Sequence, residues 1–157
     1  MFVFECDGNI IGTIRYIPCR YDLTLTEQLL RPRVAADAAL WRDSWEVGRL
    51  VLAPQYRSGQ DLLRRCLYLT LYELCRQDRV GNLLASCSHV LSRLYRRFGF
   101  SVLEKGVPLE GTEKTYSLIQ GDPPVVLDML NDNRFTPTAE PSLAAPTDLV
   151  DARRMVA

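Results

Sequence analysis

The chain has 157 residues, 47% hydrophobic and 24% charged, with 19 basic and 19 acidic side chains. That length and apolar content support one soluble domain with a sizeable core. The balanced charge gives no sign of a nucleic-acid partner, and no apolar run approaches the ~20 residues that cross a bilayer. The first residues lack the basic start and apolar core of a secretory signal. Five cysteines, Cys6, Cys19, Cys66, Cys75 and Cys87, form no C-x-x-C pair, so they read as reduced thiols of a cytoplasmic protein, mostly small core residues.

Residues 1–6 read as a strand, Asp7-Gly8-Asn9 as a hairpin turn, and Ile10 to Ile17 as the returning strand, closed by Pro18. A chain that begins directly in a hairpin places it at a sheet edge or lacks an upstream piece; the second is expected here. Residues 19–44 form a long connection, of the kind that makes lids and binding loops. Thr26 to Leu30 predicts a short helix interrupted by Pro32, and the Ala-rich run Val34 to Trp41 predicts another.

The central stretch runs from Trp45 to Gln60. Val47, Leu50, Val51 and Leu52 suit a buried strand, and Pro54 ends it because it has no amide hydrogen for a ladder. Ser58 and Gly59 then open a helix whose first amides lack intrahelical partners, an end that attracts phosphate. The helix is predicted over 60–80, with Leu63, Cys66, Leu67, Thr70, Leu71 and Leu74 as one apolar stripe and Gly81 at its C-terminus. Asn82 to Cys87 is a short buried strand, and Ser88 caps a helix from His89 to Phe98 that ends at Gly99.

Phe100 to Glu104 and Thr115 to Ile119 are further strands, joined through Gly106-Val107-Pro108 and Gly111, and Val125 to Leu130 is a short helix. From Asn131 onward Pro, Ala, Thr and Asp dominate, so 131–157 is expected to be a flexible tail after a domain of 1–130. The order implies a mixed α/β sheet with at least one parallel crossover.

Three motifs in this order carry a resemblance: Gly12-Thr13-Ile14-Arg15, Trp45-Glu46-Val47-Gly48-Arg49, and Tyr95-Arg96-Arg97-Phe98-Gly99-Phe100. Over roughly residues 1–120 the chain resembles the GNAT acyltransferase superfamily. Within it the chain resembles the acyl-homoserine-lactone synthases and the long-chain N-acyl amino acid synthases. The resemblance implies a mixed, mostly antiparallel twisted sheet, opened at a central strand and flanked by helices. It also implies a cytoplasmic bacterial N-acyltransferase that moves a fatty acyl group from an acyl carrier protein thioester to the amine of an amino acid. No cofactor is held; the co-substrate is acyl-phosphopantetheine on its carrier, or acyl-CoA. The usual coenzyme A loop of the superfamily, Gln/Arg-x-x-Gly-x-Gly/Ala, stands here as Arg57-Ser58-Gly59-Gln60-Asp61. Its paired small residues are missing, which favours a carrier presenting one phosphopantetheine phosphate over a full pyrophosphate.

The roles implied are these. Glu46 is the base that takes a proton from the amine, unless it only pairs with Arg49 or Arg15. Tyr95 protonates the leaving thiolate, unless its ring only fills the core. Backbone amides near Leu50, Val51 and Leu52 hold the oxyanion. Arg15 and Arg49 grip the carboxylate or carbonyl of the amine substrate, and Arg57, Ser58, Gly59 and Gln60 hold the phosphopantetheine. His89, the single histidine, orients Tyr95 or binds the carrier arm, or is only a helix-start residue. The arginines at 57, 64, 65, 93, 96 and 97 suit an acidic carrier protein, or only a solvated face. No metal site is read. The alternatives are a homoserine-lactone synthase using S-adenosylmethionine, an acetyl-CoA-dependent N-acetyltransferase, and an inactive carrier or lipid binder.

Overall fold

The computed structural model describes residues 1–21, 24–34, 38–57 and 59–131, the side chains of Val34, Ala38 and Ala39 excepted. The expected tail beyond Asn131 therefore lies outside the described residues, as does Ser58. Strands β1 (Phe2–Cys6) and β2 (Asn9–Pro18) form the expected hairpin. Asp7 and Gly8 turn it at φ 50° and 76°, the paired left-handed conformations that a tight hairpin matched to strand twist requires. Then come α1 (Leu25–Val34), α2 (Ala38–Trp41), β3 (Ser44–Leu52), a 3-10 turn at Pro54–Tyr56, and α3 (Asp61–Gln77). They are followed by β4 (Asn82–Cys87), α4 (His89–Arg96), β5 (Phe100–Pro108), β6 (Thr115–Gly121) and α5 (Pro123–Leu130).

The strands make one six-stranded sheet in the order β1-β2-β3-β4-β6-β5. Every pairing is antiparallel except β3 with β4. Helices cover both faces. On one, Val47, Leu83 and Ala85 pack with Leu67, Leu71 and Leu74 of α3, Tyr95 and Phe98 near α4, and Val126 of α5. On the other, Leu84, Leu118 and Val107 pack with Cys19, Leu29 and Leu30 of α1, and Leu40 of α2. Consecutive β4 residues point to opposite faces, so a strand covered on both sides reads as a continuous apolar run.

Four local expectations change. Helix α1 runs through Pro32. The proline cannot bond the Gln28 carbonyl, but both residues are exposed on one side of the helix, where water meets the lost partner. Helix α3 ends at Gln77, with Asp78 as its extended C-cap. Gly81 is instead required by crowding, because a Cβ there would lie 2.8 Å from the Arg42 carbonyl. Strand β5 continues through Gly106, at φ 68°, to Pro108, since Val107 is buried. Val51, expected in the core, is exposed.

Gly12 faces Leu52 across β2 and β3. A Cβ there would collide with the Val51 carbonyl and sit 2.8 Å from Leu52 Cδ2. Gly12→Ala is expected to lower stability by about 1–3 kcal/mol, the usual cost of overpacking. A urea melt reads this as a lower midpoint with an unchanged slope.

Candidate active site

The parallel ladder between β3 and β4 is short. It joins Ser44 to Asn82, Trp45 to Leu83 and Glu46 to Leu84. Beyond Glu46 the strands run on to Leu52 and Cys87 without pairing to each other. The sheet is open there, and Glu46 stands at the last closed rung.

The free part of β3 is also bulged. Thr13 pairs with Val51 and Arg15 with Gly48, so Arg49 and Leu50 together oppose Ile14. Arg49 takes φ 51°, a conformation that costs a side-chain-bearing residue about 1–3 kcal/mol and that clusters at functional sites. A bulge turns backbone groups out of the ladder. Leu50 lies in the bulge, and Val51 and Leu52 follow it, paired with Thr13 and Gly12, on the part of β3 that has left β4.

Glu46 is 5% exposed. Its Oε2 accepts the Thr26 amide at 2.9 Å, and its Oε1 lies 3.5 Å from Arg15 Nη2. A carboxylate at the first turn of α1 is favoured by that helix's free amides and dipole. Gly48 makes room for it: a Cβ there would lie 3.2 Å from Glu46 Oε1. Two buried atoms of the residues holding Glu46, Arg15 Nε and Thr26 Oγ1, have no hydrogen-bond partner among the described residues.

The start of α1 is a capping box, in which the Thr24 hydroxyl accepts the Glu27 amide at 3.1 Å and Glu27 Oε2 accepts the Thr24 amide at 3.2 Å. The Thr-x-x-Glu spacing at 24–27 was a legible signal for it. Glu27 is fully buried, 3.8 Å from Arg31, and Arg31 lies over the Trp41 ring at 5.8 Å.

The sequence-derived residues do not gather in one place. Arg15 joins Glu46, so the pairing expectation holds for Arg15, whereas Arg49 is exposed on the bulge. Tyr95 sits in the other helical layer, buried, with its ring edge-to-face to Phe100 at 5.2 Å and Phe98 at 6.4 Å. Burial first, and then the neighbouring Cys87, push its phenol up to about 12. Arg57 donates from Nε to the Leu52 carbonyl at 2.7 Å, tying the loop to the end of β3. Gly59, at φ 109°, has open space beside it, and Gln60 precedes α3 without a side-chain cap. Asp61 adds a negative charge to that first turn. His89 is exposed.

Two hollows stand out. A shallow trough of about 960 Å³ follows the edge strand β5 past Arg96, Phe100 and Lys105 and touches neither Glu46 nor Tyr95. A smaller cavity of about 400 Å³ is lined by Cys19, Arg20, Arg31 and Trp41. Among the described residues no His, Cys, Asp and Glu side chains gather into a metal site, and no helix is long and apolar enough to cross a membrane.

Solved structures share this fold. An uncharacterised protein of Bacillus halodurans superposes with a TM-score of 0.62 at 14% identity, over 85% of this chain and 65% of that one. The CoA-dependent acyl-homoserine lactone synthase MesI gives 0.57 at 16% identity, over 88% and 70%. FeeM, an N-acyl amino acid synthase from uncultured soil microbes, gives 0.55 at 14%, over 74% and 62%. The chain has a GNAT-like fold. It spans less than two thirds of the Bacillus halodurans protein and of FeeM. No protein-family model and no curated protein matches it in sequence. In the GNAT fold of this chain, Glu46 marks the apex of the opening and the β3 bulge its wall.

Glu46→Ala is expected to cost about 1–3 kcal/mol, because the Thr26 amide and the Arg15 guanidinium lose their shared acceptor. Glu46→Gln keeps an acceptor oxygen and should cost less than half of that, as read from paired denaturant curves.

Proposed function

We propose that this chain is an N-acyltransferase that moves a fatty acyl group from a phosphopantetheine thioester, carried on acyl carrier protein, to the amine of an amino acid. The observation that carries this reading is Glu46 at the apex of the β3–β4 opening, beside the bulged run Arg49-Leu50. The amine nitrogen attacks the thioester carbonyl carbon, and Glu46 takes the proton the nitrogen loses, directly or through one water. The carbonyl oxygen becomes an oxyanion, for which the amides of Leu50, Val51 and Leu52 are the donors. The tetrahedral intermediate then collapses, the carbon–sulfur bond breaks, and the thiolate leaves.

Tyr95 holds its proton throughout the neutral range. Complete transfer to a thiolate whose ordinary pKa is about 8.5 is uphill, so the phenol serves the leaving sulfur as a hydrogen-bond donor. Arg57, Gly59 and Gln60, with Ser58 outside the described residues, are the proposed contacts of the phosphopantetheine phosphate.

The carrier as donor is supported by the outer face of α4. Val90 and Leu91 are exposed next to exposed Arg93, Arg96 and Arg97, and residues 88–100 contain no acidic side chain. An acidic carrier with an apolar patch is complementary to that face. A coenzyme A thioester is the second reading of the donor, favoured because MesI is CoA-dependent.

Mass spectrometry of lipid extracts from bacteria expressing the chain, against an empty-vector control, should reveal new long-chain N-acyl amino acids. Acyl-homoserine lactones in their place would shift the reading to the lactone synthases. With purified protein, acyl carrier protein thioesters should outpace the matching CoA thioesters, and the reverse order would transfer the donor role to coenzyme A. Glu46→Gln should lower kcat/KM by about 10²–10⁴-fold, the range of a lost general base. A variant that keeps the wild-type rate removes Glu46 from the base role.

A further inference from the structure

The guanidiniums expected to grip the acceptor are poorly placed for it. Arg15 is engaged with Glu46, and Arg49 is exposed on the bulge. The cavity of about 400 Å³ offers a different pair, Arg20 and Arg31, with Trp41 as a wall and Cys19 as its buried lining.

Strand geometry connects this cavity to Glu46. Ile17 lies directly opposite Glu46, Pro18 lies opposite Trp45, and the Cys19 amide bonds the Ser44 carbonyl at 2.8 Å. Directly opposed residues share a face, and so do residues two apart on a strand. Cys19 and Glu46 therefore face the same layer, that of α1 and α2. The charges agree with this placement. Burial, followed by the carboxylates of Glu27 and Glu46, holds the Cys19 thiol up at about 12, so the sulfur is a neutral wall and not a nucleophile.

Each guanidinium rests over an aromatic ring. Arg31 stacks on Trp41 at 5.8 Å and lies 3.8 Å from fully buried Glu27. Arg20 stacks on Tyr21 at 5.1 Å. Stacked guanidiniums lose little freedom on binding a carboxylate and can grip it with parallel hydrogen bonds. A volume of about 400 Å³ is within the range of small-ligand pockets.

We propose that this cavity is the acceptor subsite, and that Arg20 and Arg31 bind the carboxylate of an amine substrate whose nitrogen points toward Glu46. The inference rests on the acyltransferase reading for its name as an acceptor subsite, but its carboxylate selectivity is a binding property. It therefore requires an amino acid, or a derivative that keeps the carboxylate, and rejects simple amines and amino acid amides.

The test uses the full chain carrying Trp45→Phe, so that Trp41 is the only tryptophan and reports from the cavity wall. Glycine, L-leucine and L-phenylalanine are each titrated against their carboxamides while indole fluorescence is followed. At least one acid should bind roughly tenfold or more tighter than its amide, the size of effect expected for a charge-assisted pair (about 1.4 kcal/mol). Arg20→Gln and Arg31→Lys should each reduce that preference to within about twofold. A thermal melt of each variant establishes that it is folded. Arg20, which makes no ion pair with a buried acid among the described residues, is the variant expected to keep the wild-type melting point.

Equal binding of acid and amide, no response to either form, or a preference that survives both substitutions would overturn the proposal, even in a chain that makes N-acyl products. A carboxylate preference lost in the variants would uphold the subsite even if no acyl transfer is found, and the acyltransferase reading would then fail by itself.

Discussion

One buried carboxylate holds three elements in register. Glu46 lies at the last rung of the β3–β4 ladder and binds the first turn of α1 through the Thr26 amide and β2 through Arg15. A buried charge is tolerated only where partners replace its water, so the position of α1 over the sheet and the position of Arg15 both follow from it. Gly48 belongs to the same arrangement, since a side chain there would crowd the carboxylate.

From that point the sheet divides. Strand β4 is apolar on both faces and stays covered by helices, while β3 leaves it and takes up a bulge. The two faces of the opening are chemically different. The α1 side carries Glu46, Arg15, Glu27 and Arg31, and the α3–α4 side carries Tyr95, Phe98 and Phe100 in close aromatic contact. In the proposed reaction the polar layer receives the amine and its proton. The phenol lies in the aromatic layer, and in the same proposal it serves the departing sulfur. The solved structures MesI and FeeM share the fold at 16% and 14% identity. An opened sheet is a property of strand pairing, which many sequences satisfy, whereas the acceptor depends on which few side chains line one layer.

Much of the scaffold was legible because its signals are local. Asp7-Gly8 marks a turn by backbone conformation, the α3 stripe repeats at three and four residues, and Ser88 accepts the Leu91 amide as a cap at 3.3 Å. Other features failed for equally physical reasons. Pro32 reads as a helix breaker, yet the bond it removes faces solvent. Gly81 reads as a helix end, yet it answers to the Arg42 carbonyl from a distant segment. The Thr24–Glu27 box was readable from spacing alone, but its burial was not.

The sequence by itself determined where most of the regular elements lie, because periodicity, turn residues and caps act over a few neighbours. Only the tertiary structure decided which arginine meets Glu46, where β3 leaves β4, that Tyr95 and Glu46 lie in different layers, and that Arg20, Arg31 and Trp41 share a cavity. Those outcomes depend on strand register and on the bulge at Arg49 and Leu50. One inserted residue changes which side chains face which layer, and that choice is settled by contacts between segments far apart in the chain.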